Sequence, residues 1–427
     1  MHEDLLHFIW KTNKLSGQAL TTVKNENVLI LATGSHNQLA GPDFFNAKIE
    51  IAGQIWAGNV EIHIKSSDWF AHGHENDSNY DNVILHVVYE HDTAIFRKDN
   101  SPIPTLQLKD YIPQQLLNSY HQLLKNSSNT FINCEKDLGQ VDTFLMSNWL
   151  ERLYIERLEA KSEAIFELLE ESVNDWEQVL FMLLLKNFGL NHNGISFLKI
   201  GQATDYKVVR KLQSNSMQLE SLLLGQAGLL NDQHEHDSFY LKCKKEYDYL
   251  IHKFELTAQS VQKPEFYGLR PANFPTIRLS QIANLYAEQP NLFAKLIENS
   301  TIESLRSIFN VSASDYWTDH FVFGKKSKPS IKTLSKSFID LLIINLVVPL
   351  KFCHAKKLGK DINEELLQLM TNLKPERNKI IQTYDRFGPK TENALHSQAK
   401  LQLYKNYCTK NQCLKCAIGV ALLNGNS

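Results

Sequence analysis

Four residue types that could do chemistry together fall within one short stretch, GPDFFNAKIEIAGQIWAGNVEIHIK at 41–65. Asp43 follows a Gly-Pro turn, and Glu61, His63 and Lys65 then recur at every second position. On a strand such spacing puts all three side chains on one face, while Val60, Ile62 and Ile64 supply an apolar opposite face. Asp43 can reach the same place from the turn before the hairpin. Two carboxylates on adjacent strands, beside a group able to move a proton, are what a divalent ion and its activated water require.

The next segment, SSDWFAHGHENDSNYDNVILHVVYEHD, holds Asp68, His72, His74, Asp77, Tyr80 and Asp81 ahead of an apolar strand interrupted by His86. That polar density is high for a connection between two core strands. His72, His74 and Asp77 with His63 could form a histidine-rich site suited to zinc or manganese. As alternatives, the two imidazoles could orient other ligands or contact phosphate. At the start of the chain, HEDLLHFIWKT reads as an amphipathic helix with Leu5, Leu6, Phe8, Ile9 and Trp10 inward. Glu3 on this helix is the candidate accessory acid.

The Pro42-Asp43 turn and the acid-bearing strand at Glu61 resemble the PD-(D/E)xK nuclease superfamily over residues 1 to 110. The resemblance implies a restriction-endonuclease-like α/β domain with a mixed sheet. It also implies Mg2+ or Mn2+ held by Asp43 and Glu61, with Glu3 as an accessory ligand, and DNA or RNA as substrate. The sequence departs from the pattern where His63 replaces the lysine that supports the nucleophilic water; Lys65 is one strand step further on. Over its whole length the chain also resembles a bacterial family of uncharacterised proteins, through GPDFFNAKI, GNVEIHIKSSDW, HGHENDSNYDNVILHVV, GLRPANFPTIRLSQIA and YCTKNQCLKCAIG.

Near the C-terminus Cys408, Cys413 and Cys416 stand at C-x4-C-x2-C. Thiolates so spaced can share zinc or an iron–sulfur cluster, with Cys353 or His354 as the proposed fourth ligand; otherwise they pack as small apolar residues. Arg270 and Arg278 in GLRPANFPTIRLSQIA could hold a phosphate, but a structural turn is the preferred reading. No Walker loop, G-x-G-x-x-G or G-x-S-x-G motif occurs, which argues against nucleotide hydrolysis, dinucleotide redox chemistry and serine hydrolysis.

These residues need rigid elements around them. Strands are predicted at 28–32, 47–51, 55–64, 83–89, 94–97 and 105–108, with turns at Ala52-Gly53-Gln54 and Asp99-Asn100-Ser101. A helix at 111–124 follows, ended by KNSS at 125–128. Beyond 140 the apolar spacing turns helical, as in NWLERLYIERLEAKSEAIFELLEES. The fold class is therefore α+β: a nuclease-like domain at 1–124, then an all-helical domain at 140–427.

The chain has 427 residues, 43% of them hydrophobic, enough for two cores. FIDLLIINLVVPL at 338–350 is too short to cross a membrane and reads as a buried helix ended by Pro349. Six cysteines make no disulfide framework, and with no leader-like N-terminus a cytoplasmic location is expected. A net charge of −2 denies the chain the general basic excess of a dedicated nucleic-acid binder. Three readings follow: a metal-dependent phosphodiesterase, a non-catalytic nucleic-acid or protein binding module on the same fold, and an interaction protein docking through its helices. The side to which His63 and Lys65 turn discriminates between them.

Overall fold

The computed structural model describes residues 2–15, 19–37, 39–125, 130–231, 237–257 and 261–425. The KNSS stop therefore lies, from 126 onward, outside the described residues. The chain forms two compact units: 1–149 with 387–389 and 404–427, and 150–386 with 390–403. This division differs from the predicted one. The boundary falls inside helix α4 (Thr143–Glu171), and the cysteine-bearing C-terminal segment belongs to the first unit.

In the first unit α1 (Glu3–Thr12) begins with Glu3 and Asp4 and ends with Lys11, charges that complement the helix dipole. Asn13, at φ 48°, closes it in the left-handed conformation. Five of its apolar side chains are buried, leaving Glu3 and His7, four residues apart, on another face.

A mixed sheet follows. Strands β1 (Leu20–Thr21), β2 (Asn27–Ala32), β3 (Ser35–His36), β4 (Phe44–Ile51), β5 (Gln54–Lys65), β6 (Val83–Glu90) and β7 (Thr105–Gln107) pair in the order β1-β2-β4-β5-β6-β7, with β3 also on β4. The pairings β5–β6 and β6–β7 are parallel and the others antiparallel. Between β5 and β6 the chain crosses over through α2 (Asp68–Ala71) and two short 3-10 turns, His74–Asn76 and Ser78–Tyr80. The predicted strand at 94–97 is not formed; its trace is a single bridge between Phe96 and Pro102. The helix predicted at 111–124 starts later, as α3 (Gln114–Lys125).

The main core joins α1 and α3 to Phe44, Val60, Ile62, Leu85 and Val87 of the sheet. A smaller apolar cluster, Trp69, Tyr80, Val83, Ile95 and Ile103, forms beside the crossover. Glu61 and His63 are thus as buried as their apolar neighbours. The β4–β5 turn places Ala52 at φ 51° and Gly53 at φ 83°, with Ile51 paired to Gln54, the two-residue hairpin that matches strand twist.

The second unit is mostly helical but carries a small hairpin, His320–Val322 with Lys325–Lys326, so the all-helical expectation is corrected to that extent. Its longest apolar helix, Lys336–Lys357, passes straight through Pro349 instead of ending there. A π-turn at Ile343–Val347 leads into the proline and absorbs its missing N–H. By length and composition this helix could span a membrane, but 78% of its most apolar window is buried.

Candidate metal centre

The position of Asp43 depends on a slip in the β4–β5 pairing. Ala47 pairs with Gly58, but Phe44 pairs with Val60, so one extra residue sits on β4, where Asn46 is at φ 58°. Continued one step, the register sets Asp43 across from Glu61. Without the bulge it would set Asp43 across from Ile62, on the apolar face. Backbone bonds lock the result: the Asp43 N–H donates to Glu61 Oε2 at 3.1 Å and the Ile62 N–H donates to Asp43 Oδ2 at 2.9 Å. The β5–β6 pairing slips at the same level, between Asn59–Val83 and Val60–Leu85, after which Glu61 pairs with His86.

His63, His72 and His74 then converge. One ligand nitrogen from each lies within 4.8 Å of the other two. His63 Nε2 is 3.1 Å from His72 Nδ1 and 3.5 Å from Glu61 Oε1, and His74 Nε2 is 3.3 Å from Glu61 Oε1. An ion bound at about 2.1 Å in tetrahedral geometry sets its ligand atoms about 3.4 Å apart, so these three separations match edges of such a site. On its other side His63 Nδ1 is 2.8 Å from His86 Nε2, the kind of outer contact that fixes a ligating imidazole's tautomer and orientation. Tyr80 stacks on His74 at 3.8 Å, and the edge of Trp69 meets His74 and His86.

Electrostatics suit ligation. Burial, then the neighbouring His74, His72 and His7, push His63 down to about 3. Burial also holds His86 well below the usual imidazole range. Both rings are therefore neutral near pH 7, with a lone pair available. Burial pushes Glu61 up, against the proximity of His74, and a bound cation would favour its charged form.

A second group stands beside the imidazoles. His7 Nε2 lies 3.2 Å from Asp43 Oδ2. Burial alone would lower the His7 pKa, but Asp43, Glu3 and Asp4 outweigh it and leave it raised. Glu3 is pushed up by burial and is within electrostatic reach of His7, Asp43 and His72. The sequence thus brings Asp43, Glu61, His63, His72, His74 and Glu3 to one place.

Lys65 and Asp77 do not join the cluster. Lys65 is exposed at the far end of β5, near Asp92; equal parity preserves the face, but each pair of residues advances about 6.6 Å along the strand. Asp77 accepts the Asn79 N–H at 2.9 Å and caps a 3-10 turn. Neither His7 nor His86 is assigned a role by the sequence, although His86 stands out within its strand. Each has a signal: His7 is four residues after Glu3, and His86 is the one polar residue of VILHVV.

Elsewhere, Arg278 lies buried in the second unit. Its guanidinium is 3.6 Å from the centre of the Phe338 ring and donates to Asn273 and Gln281, which fits the structural reading of that loop. Cys353 and His354 also belong to the second unit; Cys353 is fully buried, and His354 packs edge-on against Trp176 and Phe293.

A family model described as "Protein of unknown function (DUF2851)" matches residues 3–379, and the chain belongs to that family. No curated protein and no solved structure matches it.

Proposed function

We propose that this member of the DUF2851 family is a metal-dependent phosphodiesterase acting on nucleic acid, with Zn2+ or Mn2+ held by His63, His72, His74 and Glu61. The observation that carries the proposal is the set of ligand-to-ligand separations of 3.1, 3.3 and 3.5 Å around His63 and Glu61. Three imidazoles and one carboxylate favour zinc or manganese over Mg2+, which prefers oxygen donors. The nuclease comparison draws support from the order of elements: a helix, an antiparallel pair bearing the two acids, a crossover and a parallel strand.

The ion would polarise a phosphoryl oxygen and acidify a bound water. The protein's own residues do the rest. His86 orients His63, and Tyr80 and Trp69 hold the imidazoles in place. Asp43 and His7, 3.2 Å apart, would take up a proton leaving the water, and His7 would return it to the departing oxygen. His7 must be neutral to accept that proton, so turnover rises with pH through its raised pKa.

Cleavage of single- and double-stranded DNA and RNA with Mn2+, Zn2+ or Mg2+ tests the reading. Activity with Mn2+ or Zn2+, abolished in His72→Ala and His74→Ala, is expected. Metal uptake without turnover of any of these substrates would leave a non-catalytic binding module, which the net charge of −2 and the outlying Lys65 favour. Absence of metal uptake at these residues would end the phosphodiesterase reading.

A further inference from the structure

Four of the six cysteines belong to the first unit: Cys134, Cys408, Cys413 and Cys416. Cys134 lies in the segment after α3, far from the other three in sequence, and two contacts bring that segment against theirs. The Asn133 side-chain amide donates to Cys413 Sγ at 3.4 Å and to Asn411 Oδ1 at 3.2 Å. Phe131 stacks on Tyr404 with ring centres 4.9 Å apart. Cys134 and Cys413 pack against the same core.

The local backbone is folded around the thiols. Residues 404–408 form a wide π-turn and Cys413–Lys415 a 3-10 turn. The Cys416 N–H bonds to the Cys413 carbonyl at 3.2 Å. A Cβ at Gly419 would come within 2.2 Å of that same carbonyl oxygen, so only glycine allows the approach. Burial pushes the Cys416 thiol up to about 11, although the N–H groups of Ile418 and Gly419 and the Trp149 side chain turn toward its sulfur. Cys134, raised first by burial, also feels Cys408, Cys416 and Cys413 together.

We propose that Cys134, Cys408, Cys413 and Cys416 form a four-thiolate site for an iron–sulfur cluster. The spacing decides between cluster and single ion. A tetrahedral zinc, with bonds of about 2.3 Å, holds sulfurs about 3.8 Å apart. Among the described residues no three cysteine sulfurs come within 4.8 Å of one another. A [4Fe–4S] cluster, whose four thiolates bind separate irons, takes the wider arrangement. The fourth ligand is Cys134, in place of the Cys353 or His354 suggested by sequence.

The test is anaerobic purification of the full chain, followed by iron, acid-labile sulfide and zinc analysis and a visible spectrum. Iron and sulfide in equal amounts, with broad visible absorbance, are expected. An outer-shell partner is worth about 10-fold in metal affinity, so loss of a ligand in Cys134→Ser should lower bound iron by at least that factor. Cys353→Ser should keep it, and circular dichroism separates ligand loss from unfolding. Three results would overturn the proposal: stoichiometric zinc without iron, wild-type protein free of metal, or a folded Cys134→Ser variant that keeps its iron. His72→Ala, which disables the other centre, should leave the iron unchanged.

Discussion

Replacing His63 with glutamine in metal-free protein should remove a defined part of the pH dependence of folding. His63 is 2% exposed, and its pKa falls from the ordinary 6.5 to about 3 on folding. The unfolded chain therefore binds a proton below pH 6.5 that the folded chain refuses until about pH 3. The associated stability is fully present above pH 6.5 and is lost as pH falls through that window. The slope is about 1.4 kcal/mol per pH unit for one proton. Between pH 6.5 and pH 5 the loss is about 2 kcal/mol, a figure that requires only that the folded pKa lie below 5. His86 titrates in the same sense and steepens the wild-type curve, so the quantity to read is the difference between variant and wild type. Urea unfolding with chelator present, repeated from pH 7.5 to pH 5, supplies it. The glutamine side chain has no ionisable group, and the curve of the His63→Gln variant should be flatter by about 2 kcal/mol at pH 5. Parallel curves for the two proteins would show that His63 is solvated and protonated in the fold, and would refute the buried neutral imidazole on which metal ligation rests.

Zn2+ or Mn2+ at about 100 times its dissociation constant should stabilise the first unit by about 2.7 kcal/mol, read as a rise in melting temperature that His72→Ala and His74→Ala both lose; an unchanged rise in either variant would remove that residue from the centre. Ala52→Gly should stabilise the β4–β5 hairpin by about 1 kcal/mol, because alanine is held at a left-handed φ, and chemical denaturation would show it. Arg278→Ala should cost about 3 kcal/mol, because it removes both the packing on Phe338 and the hydrogen bonds to Asn273 and Gln281, whereas Arg278→Met, which keeps the packing, should lose less. Equal losses for the two Arg278 variants would point to charge rather than packing.

Much of the first unit was legible because strands announce themselves by parity. Alternation placed Glu61 and His63 together, and the turn residues placed Asp43 within reach. Parity says nothing about distance along the strand, which is why Lys65 was included and proved remote. The centre's depth was hidden too: Val60 and Ile62 announce one buried face, but His72 and His74, which lie against His63 and Glu61, come from a segment that reads as a polar loop. Helical spacing runs to the end of the sequence but does not show which unit receives the C-terminal segment. The sequence therefore points to Cys353 or His354 as the fourth ligand beside Cys408, Cys413 and Cys416, both in the second unit, while Cys134 of the first unit has no neighbouring cysteine to draw attention to it. Pro349 misled for a local reason, since a π-turn lets a helix continue through a proline.

The bulge at Asn46 sets a rule for how the length of this hairpin can change over evolutionary time. A residue added to each arm of β4 and β5 lengthens the ladder and leaves Asp43 facing Glu61, so the separation of 18 positions between the two acids can grow or shrink in steps of two. A single insertion or deletion within either arm exchanges faces and turns one acid toward the apolar core, where an unpaired carboxylate is costly. Descendants of this chain that keep both acids in working position should therefore keep an even separation between them, and an odd one should mark a copy in which the bulge has moved or the centre has been lost.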